Sequence, residues 1–391
     1  MAHAEPEESN NGEQGPCYHF LVAVYGIQGH LNPARTFAHN LAQIKDCTVT
    51  LSVPFSGHRL MFPSHDDPYE EINDGVITYI PFSDGNDGGI WPKNTEERMQ
   101  RRKASSKSLS TIVSRLTASA RPVTCMVCTL NMPAVIDVAH EHNIPLAIYW
   151  IQPATAFLTY YHYFHGHDKI ITQHATEPTY EVSLPGLYPL TIRDMPSFLT
   201  ETTHSELSEV IIQGFRELFM QIDQEKTMVL VNTFTGLEDV ALKALQPYVE
   251  IFSVGPAVPP LGSQQWPKAS NTQIHLFKPD EENYMEWLNV QPEKSVVYLS
   301  FGSLLTYTIK LVEEILHGLQ DCGRRYLWVV RREGRAEDVD FYLRKVNRGK
   351  GMVVEWCDQL RVLSHPSVGC FVTHCGWNST LEAIVHGVPM V

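Results

Sequence analysis

The chain has 391 residues, enough for two domains with substantial cores. Its 44 acidic residues outnumber 30 basic ones, and the resulting net charge of −14 argues against nucleic acid and anionic membrane as main partners. Hydrophobic residues make up 43% and charged residues 19%, the balance of a soluble globular protein, and no apolar run approaches the length of a membrane span.

Residues 1–16 are polar and acidic, with neither a basic n-region nor an apolar h-region. They read as a disordered tail rather than a signal peptide, and the cytosol is the expected compartment. The eight cysteines are expected there as reduced thiols. Residues 18–25 form the first predicted strand, which ends at Gly26-Ile27-Gln28-Gly29-His30. Asn32 as cap and Pro33 at the first helical position predict a helix to about Ile44, followed by a strand over 47–54. This is a βαβ opening whose glycine turn lies at the C-terminal end of a strand, the usual ligand crevice of an open parallel sheet. The turn lacks a third glycine and an acidic residue closing the second strand, so it is a poor dinucleotide fingerprint. From that turn His30 faces the crevice.

A strand over 75–81 leads into a turn-rich loop at 83–89, which lacks the later ligands of an EF-hand. Residues 95–120 predict one long basic helix whose RMQRRK run reads as a solvated face. A buried strand over 123–130 carries Cys125 and Cys128. Residues three apart on a strand point to opposite faces, so this C-x-x-C cannot chelate one ion. A helix at 133–143, a strand at 146–150 and an aromatic helix at 157–165 come next, with Gln152 at the crevice edge. The HYFHGH run has no supporting acidic ligand, which argues against a metal there. A proline-rich loop over 184–199 is a candidate wall for an acceptor pocket. A helix at 205–223, a strand at 228–231, a helix at 236–245 containing Glu238 and a strand at 249–254 complete the first unit.

Residues 255–279, rich in Pro, Gly, Ser, Asn and Gln, read as a linker. Beyond it lies a second alternating series: a helix near 281–288, a strand at 295–301 ending in Gly302-Ser303, a helix at 309–320, and strands at 326–330 and 352–355. The D-x-D at Asp338 and Asp340 comes after RREGRAE and reads as exposed loop rather than a metal pair ending an apolar strand. Residues 356–391 then run through an apolar strand at 369–373 and a Gly turn into a helix. Asn378, Ser379 and Thr380 serve as its capping types and Glu382 lies in its first turn. A helix start of this kind suits phosphate, because its backbone N–H groups point outward. Asn378 and Glu382 lie four apart on one face, and Trp356 offers a flat surface for a base. Cys357, Cys370 and Cys375 near His365 and His374 lack paired zinc spacing.

This last stretch resembles the signature box of plant secondary-product UDP-glycosyltransferases. The match includes Trp356, Gln359, His365, Gly369, the run from Phe371 to Ser379, Glu382 and Gly387-Val388-Pro389. Residues 26–33 resemble the family's first loop, where the histidine is the general base. The resemblance covers residues 17–391. It implies an α/β GT-B architecture of two facing Rossmann-like domains: residues 17–254 for the acceptor and 280–391 for the UDP-sugar. It also implies inverting, metal-free transfer of a hexose, glucose being the commonest choice, to a small phenolic or flavonoid-type acceptor. No cofactor is expected beyond the UDP-sugar co-substrate, and a monomer is expected. By the same resemblance Trp356 stacks on uracil and Gln359 and Glu382 bind ribose. Ser303, His374, Asn378 and Ser379 meet the diphosphate, Trp377 sits beside the sugar, and Cys357 belongs to the donor site.

Two departures qualify the match. Thr129 stands where the family places an aspartate partner of the histidine. A threonine cannot stabilise an imidazolium as a carboxylate does, so an already acidic acceptor is expected: a phenol, an enolised flavonoid hydroxyl or a carboxylic acid. The phrasing at 125–133 also resembles the subgroup of anthocyanin 5-O-glucosyltransferases and carboxylate glucosyltransferases. Second, the family's box continues to an Asp-Gln pair that holds the sugar, with further elements after it. The printed chain stops at Val391, which predicts an exposed sheet edge, low stability and weak turnover. The alternative function is accordingly a non-catalytic binder of UDP or a phenolic ligand.

Overall fold

The computed structural model describes residues 17–63, 67, 69–86, 92, 94–130, 132–201, 206–259, 283–303, 305–332, 334, 339–346 and 350–391. The acidic tail, most of the expected linker, Ser205, Glu281, Asp338 and the end of the 83–89 loop lie outside the described residues.

The first part of the chain supplies strands β1 (Tyr18–Ala23), β2 (Cys47–Ser52), β3 (Ile72–Asn73), β4 (Thr78–Tyr79), β5 (Cys125–Cys128) and β6 (Leu146–Trp150). A small hairpin of β7 (Glu181–Val182) and β8 (Leu190–Thr191) is next, then β9 (Met228–Val231) and β10 (Ile251–Ser253). Apart from the hairpin they form one sheet in the order β10-β9-β6-β5-β1-β2-β4-β3, parallel throughout except for the β3–β4 pair. The short β-rich runs are buried on both faces, as a parallel sheet covered by helices requires. Leu21, Val22, Ala23, Ile148, Tyr149 and Trp150 are fully buried.

The second sheet is built from β11 (Val296–Ser300), β12 (Arg325–Val329), β13 (Gly351–Val354) and β14 (Val368–Thr373). Its order is β13-β12-β11-β14, all parallel. Side chains alternate between two cores. On β12, Leu327 and Val329 pack with Tyr298 and Phe371, while Tyr326 and Trp328 pack with Leu299 and Val312 on the opposite face. Residues 389–391 lie along the outer edge of β14, Val391 N–H donating to the Phe371 carbonyl at 2.9 Å and Thr373 N–H to the Val391 carbonyl at 3.1 Å. This pairing covers part of the edge expected to be open.

In the first sheet the chain winds outward in both directions from a central pair of strands; in the second it winds from β11 out to β13 and then returns to place β14 on the other side of β11. β1 and β5 are neighbours in the first sheet, β11 and β14 in the second. Each pair is a topological switch point, where a crevice opens beyond the C-terminal strand ends.

Several boundaries differ from expectation. The helix after β1 spans Gln28–Ala42, so Asn32 is not its cap and Pro33 lies inside it. The strand expected at 75–81 is the short β3–β4 hairpin, whose turn is held by the Asp74 carboxylate accepting from Val76 and Ile77 N–H. The aromatic helix begins earlier, at Ala154. There the Glu238 carboxylate accepts from Ala154 N–H at 2.8 Å, Thr155 N–H at 2.9 Å and the Thr155 hydroxyl at 2.8 Å. The two N–H groups are free donors of a helix start, satisfied by a residue distant in sequence. Helices at Phe55–Met61, Val339–Val346 and Gln359–Leu363 are additions to the sequence-based expectation. Asp340 therefore lies in a helix and not in a loop.

In the RMQRRK run on helix Thr95–Ala118, Met99, Gln100 and Lys103 are exposed as expected, but the three arginines form an ion-pair network. Arg98 makes a bidentate contact with Glu217, Arg101 reaches Glu97 and Asp84, and Arg102 reaches Asp137 and Glu217. Arg98 and Arg101 side chains are only 12% and 13% exposed. In HYFHGH an acid does lie nearby, since His165 Nε2 is 3.0 Å from the Asp223 carboxylate. The neighbouring His162 and His167 rings face backbone carbonyls instead, and no group of three or more potential metal ligands occurs among the described residues. No helix of the described residues is long and apolar enough to cross a membrane.

Candidate active site

Strand register determines which loops meet at the first switch point. Ala23 and Cys128 are partners across β1 and β5, so the residues after each strand emerge side by side. His30, in the first turn of helix Gln28–Ala42, has Nδ1 3.0 Å from the Thr129 hydroxyl. The Met132 sulfur lies 3.6 Å from that hydroxyl as an acceptor for its proton, an arrangement compatible with the hydroxyl accepting from His30 Nδ1–H. In that tautomer Nε2 carries the lone pair. Burial pushes the His30 pKa down to about 4, and Tyr25 packs edge-on against the ring at a centroid distance of 5.5 Å. Thr129 is fully buried. The imidazole is thus neutral, and the partner of its Nδ1 among the described residues carries no charge.

The second switch point is built the same way. Ser300 and Thr373 are register partners on β11 and β14, which brings Gly302-Ser303 beside His374 and the turn after it. The His374 ring lies in a slot between two glycines. A Cβ on Gly376 would come within 2.4 Å of it and a Cβ on Gly302 within 2.7 Å, and Gly302 also has φ +75°. Burial lowers the His374 pKa. Ser303 uses its carbonyl to accept from Arg331.

Helix Trp377–His386 has Gly376 as its N-cap and no side-chain cap, so Asn378, Ser379 and Thr380 are helical residues, not caps. Its first main-chain bond runs from Thr380 N–H to the Gly376 carbonyl. The N–H groups of Trp377, Asn378 and Ser379 are therefore left without helical acceptors, an arrangement suited to a phosphate. Glu382 consequently lies in the second turn rather than the first. It is buried and its pKa is raised by that burial to about 7.

Gln359 holds this carboxyl group in place. Its Nε2 donates to Glu382 Oε2 at 2.7 Å and to Ser379 Oγ at 3.0 Å, and its Oε1 accepts from the Tyr298 hydroxyl at 3.2 Å. Cys357 is buried with Sγ 3.4 Å from the same hydroxyl. The half-buried Trp356 packs against the Tyr298–Phe371 core.

Among the described residues, two side-chain bonds cross from the second switch point to the first sheet. The Trp377 indole Nε1–H donates to the Asn232 carbonyl at 2.7 Å, and Asn378 Nδ2 donates to the Gly29 carbonyl at 3.0 Å. They bring the His30 loop and the helix start at 377–379 together. Asn232, just beyond β9, also accepts from Ala257 N–H at 2.8 Å, so it anchors both the crossing and the chain leaving the first sheet.

A small cavity without His30 in its wall is bounded by Tyr25, whose ring packs on His30, and by Phe82, Arg98 and Met132. It shares Arg98 and Arg102 with a larger one of about 710 Å³ lined by Met99, Tyr163, Phe198 and Arg216 among others. Phe198 comes from the proline-rich loop expected to form an acceptor wall, whereas Gln152 borders neither cavity. Asn232, Tyr298 and the arginine network carry no signal in the sequence, because their roles depend on contacts across the fold rather than on local spacing.

A sequence profile of the family described as "UDP-glucoronosyl and UDP-glucosyl transferase" matches residues 267–391. Crocetin glucosyltransferase, chloroplastic, of Gardenia jasminoides is 38% identical, with 95% of this chain and 79% of the relative covered. Anthocyanidin 3-O-glucoside 5-O-glucosyltransferase of Verbena hybrida is 37% identical with the same coverage. The chain belongs to the plant UDP-glycosyltransferase family. Among solved structures, Os79 from O. sativa in complex with UDP superposes with a TM-score of 0.78 at 28% identity, covering 95% of this chain and 80% of that one. The two sheets facing across a cleft are the GT-B fold of this family, and the chain is a UDP-dependent glycosyltransferase. The expected kinship with the anthocyanin 5-O-glucosyltransferase subgroup holds.

Proposed function

We propose that this glycosyltransferase transfers a hexose, in the first instance glucose, from a UDP-sugar to an acidic oxygen of a small phenolic or carboxylate acceptor, without metal and with inversion. His30 Nε2 removes the acceptor proton as that oxygen attacks the anomeric carbon. The bond from that carbon to the phosphate oxygen breaks, and the departing UDP carries away the electron pair. The free N–H groups of Trp377, Asn378 and Ser379 stabilise the growing negative charge. Glu382, held by Gln359, accepts from ribose hydroxyls, and Trp356 underlies the base. The larger cavity, walled in part by Phe198, is the candidate acceptor pocket. Arg216 in its wall has no carboxylate partner among the described residues and lies 5.4 Å from the Phe164 ring, so it favours an anionic group.

The observation that carries the acidic-acceptor reading is the 3.0 Å contact of His30 with an uncharged threonine. A base held near pKa 4 removes a proton readily only from an acceptor that releases it easily. A Thr129→Asp variant should raise the His30 pKa, because a carboxylate favours the charged ring. The acid limb of kcat/KM should then move upward from about pH 4, and aliphatic alcohols should become better acceptors relative to phenols. An unmoved acid limb with an unchanged acceptor ranking would refute this reading.

A further inference from the structure

The bond between Asn378 and the Gly29 carbonyl has a cause in the helix that carries His30. In an α-helix the carbonyl of residue 29 would accept from the N–H of residue 33. Residue 33 is proline and has no N–H, so that partner does not exist. Pro33 is buried within the helix while Gly29 is exposed at its start, and a Cβ built on Gly29 would meet nothing within 4 Å. The carbonyl is left without its helical donor on the open side, and Asn378 Nδ2 takes it at 3.0 Å. The next residue along the chain from Gly29 is the base, and Asn378 is the second residue of the helix with free N–H groups.

We propose that Pro33 is a positioning residue for transfer. By withholding one N–H it keeps the Gly29 carbonyl as the docking point for Asn378, and so sets the approach of the His30 turn to the donor helix. The neighbouring Trp377–Asn232 bond at 2.7 Å limits rotation about this contact. The proposal rests on the assignment of His30 as base and of residues 377–379 as the phosphate end of the donor site.

The test is a double-mutant cycle with UDP-glucose and a phenolic acceptor. Pro33→Ala and Pro33→Ser each restore an N–H that competes for the Gly29 carbonyl. Each should lower kcat about three- to tenfold, the range that one neutral hydrogen bond spans. The acceptor KM and the melting temperature should stay close to those of the parent. In an Asn378→Ala background the same substitutions should have no further effect on kcat, because the carbonyl's partner is already gone. A structural role for the proline ring would instead give losses that multiply with those of Asn378→Ala. Such independent losses, or no loss in either single variant, overturn the proposal. Calorimetric titration with UDP separates the underlying assignment: Asn378→Ala keeps its backbone N–H and should bind UDP like the parent while losing kcat; turnover at the parental rate overturns the proposal, whereas a parent chain that binds no UDP overturns the donor-site reading instead. Should Pro33→Ala melt early, Pro33→Ser and the cycle on whichever variant folds decide the matter.

Discussion

The two switch points share one topology and do opposite electrostatic work. At the first, β1 and β5 present a desolvated imidazole whose partner is a hydroxyl, and charge is kept away from the ring. At the second, β11 and β14 present a helix start whose N–H groups remain free, and positive field is offered to a ligand. The difference arises in the few residues between each strand end and the next helix. After β1 the helix begins before the functional residue, so His30 is packed into its first turn. After β14 the glycine at 376 starts the helix with no side chain over its end, and the backbone itself is the functional group. A parallel sheet therefore fixes where a site lies and leaves its charge to a few residues beyond the strand.

Removing either end of this contrast should have the largest effects. His30→Ala should reduce turnover about 10²- to 10⁴-fold, the usual contribution of general base catalysis, while calorimetry finds UDP affinity unchanged. Parallel loss of UDP binding would show that the two switch points are not separable. At the other end, Gly302→Ala places a Cβ 2.7 Å from the His374 ring at a backbone φ of +75°. It should cost about 1–3 kcal/mol of stability through backbone strain, read as a lowered melting temperature, and weaken UDP more than the acceptor. A variant that bound UDP normally would remove His374 and its slot from the donor site.

The smallest expected effect is a pH dependence. Glu382 has a pKa raised to about 7, so it is largely protonated below that and ionised above. Only the ionised carboxylate accepts from two ribose hydroxyls at once, so UDP affinity should rise several-fold as pH passes upward through 7. Glu382→Gln should flatten the profile. The same shift works against folding at high pH. The unfolded carboxyl releases its proton at a lower pH than the folded one, so this contribution is full below the ordinary glutamate range and is lost as pH rises through about 7.

Much of this frame is legible in the sequence because it obeys local periodicity. β9, β6 and the long helix from Thr95 lie where the pattern places them, and the structure adds Asn94 as N-cap, accepting from Glu97 N–H at 2.9 Å. The donor helix start is also visible, since a glycine turn after an apolar strand has few other readings. Its fine geometry is not. Asn378 looks like a cap by residue type, yet Gly376 performs that role and frees the asparagine side chain to reach Gly29. Pro33 reads as a first helical residue by preference, but the helix starts earlier, at Gln28. The arginine run looks solvated until Glu217 and Asp137 from other helices are placed against it. Each miss turns on an interaction that one-dimensional spacing does not report.

The Glu238 carboxylate, with its three hydrogen bonds to residues 154 and 155, bears on how such a protein diversifies. It ties the helix after β9 to the helix after β6, so the frames of two neighbouring parallel strands are held by one buried group rather than by the loops above them. Substitutions in the cavity wall near Phe198 can accumulate without disturbing that junction. Under the proposed assignment of the acceptor pocket, acceptor preference and structural integrity become separately adjustable traits, and a lineage carrying this clamp can explore new acceptors while the geometry behind them stays constant.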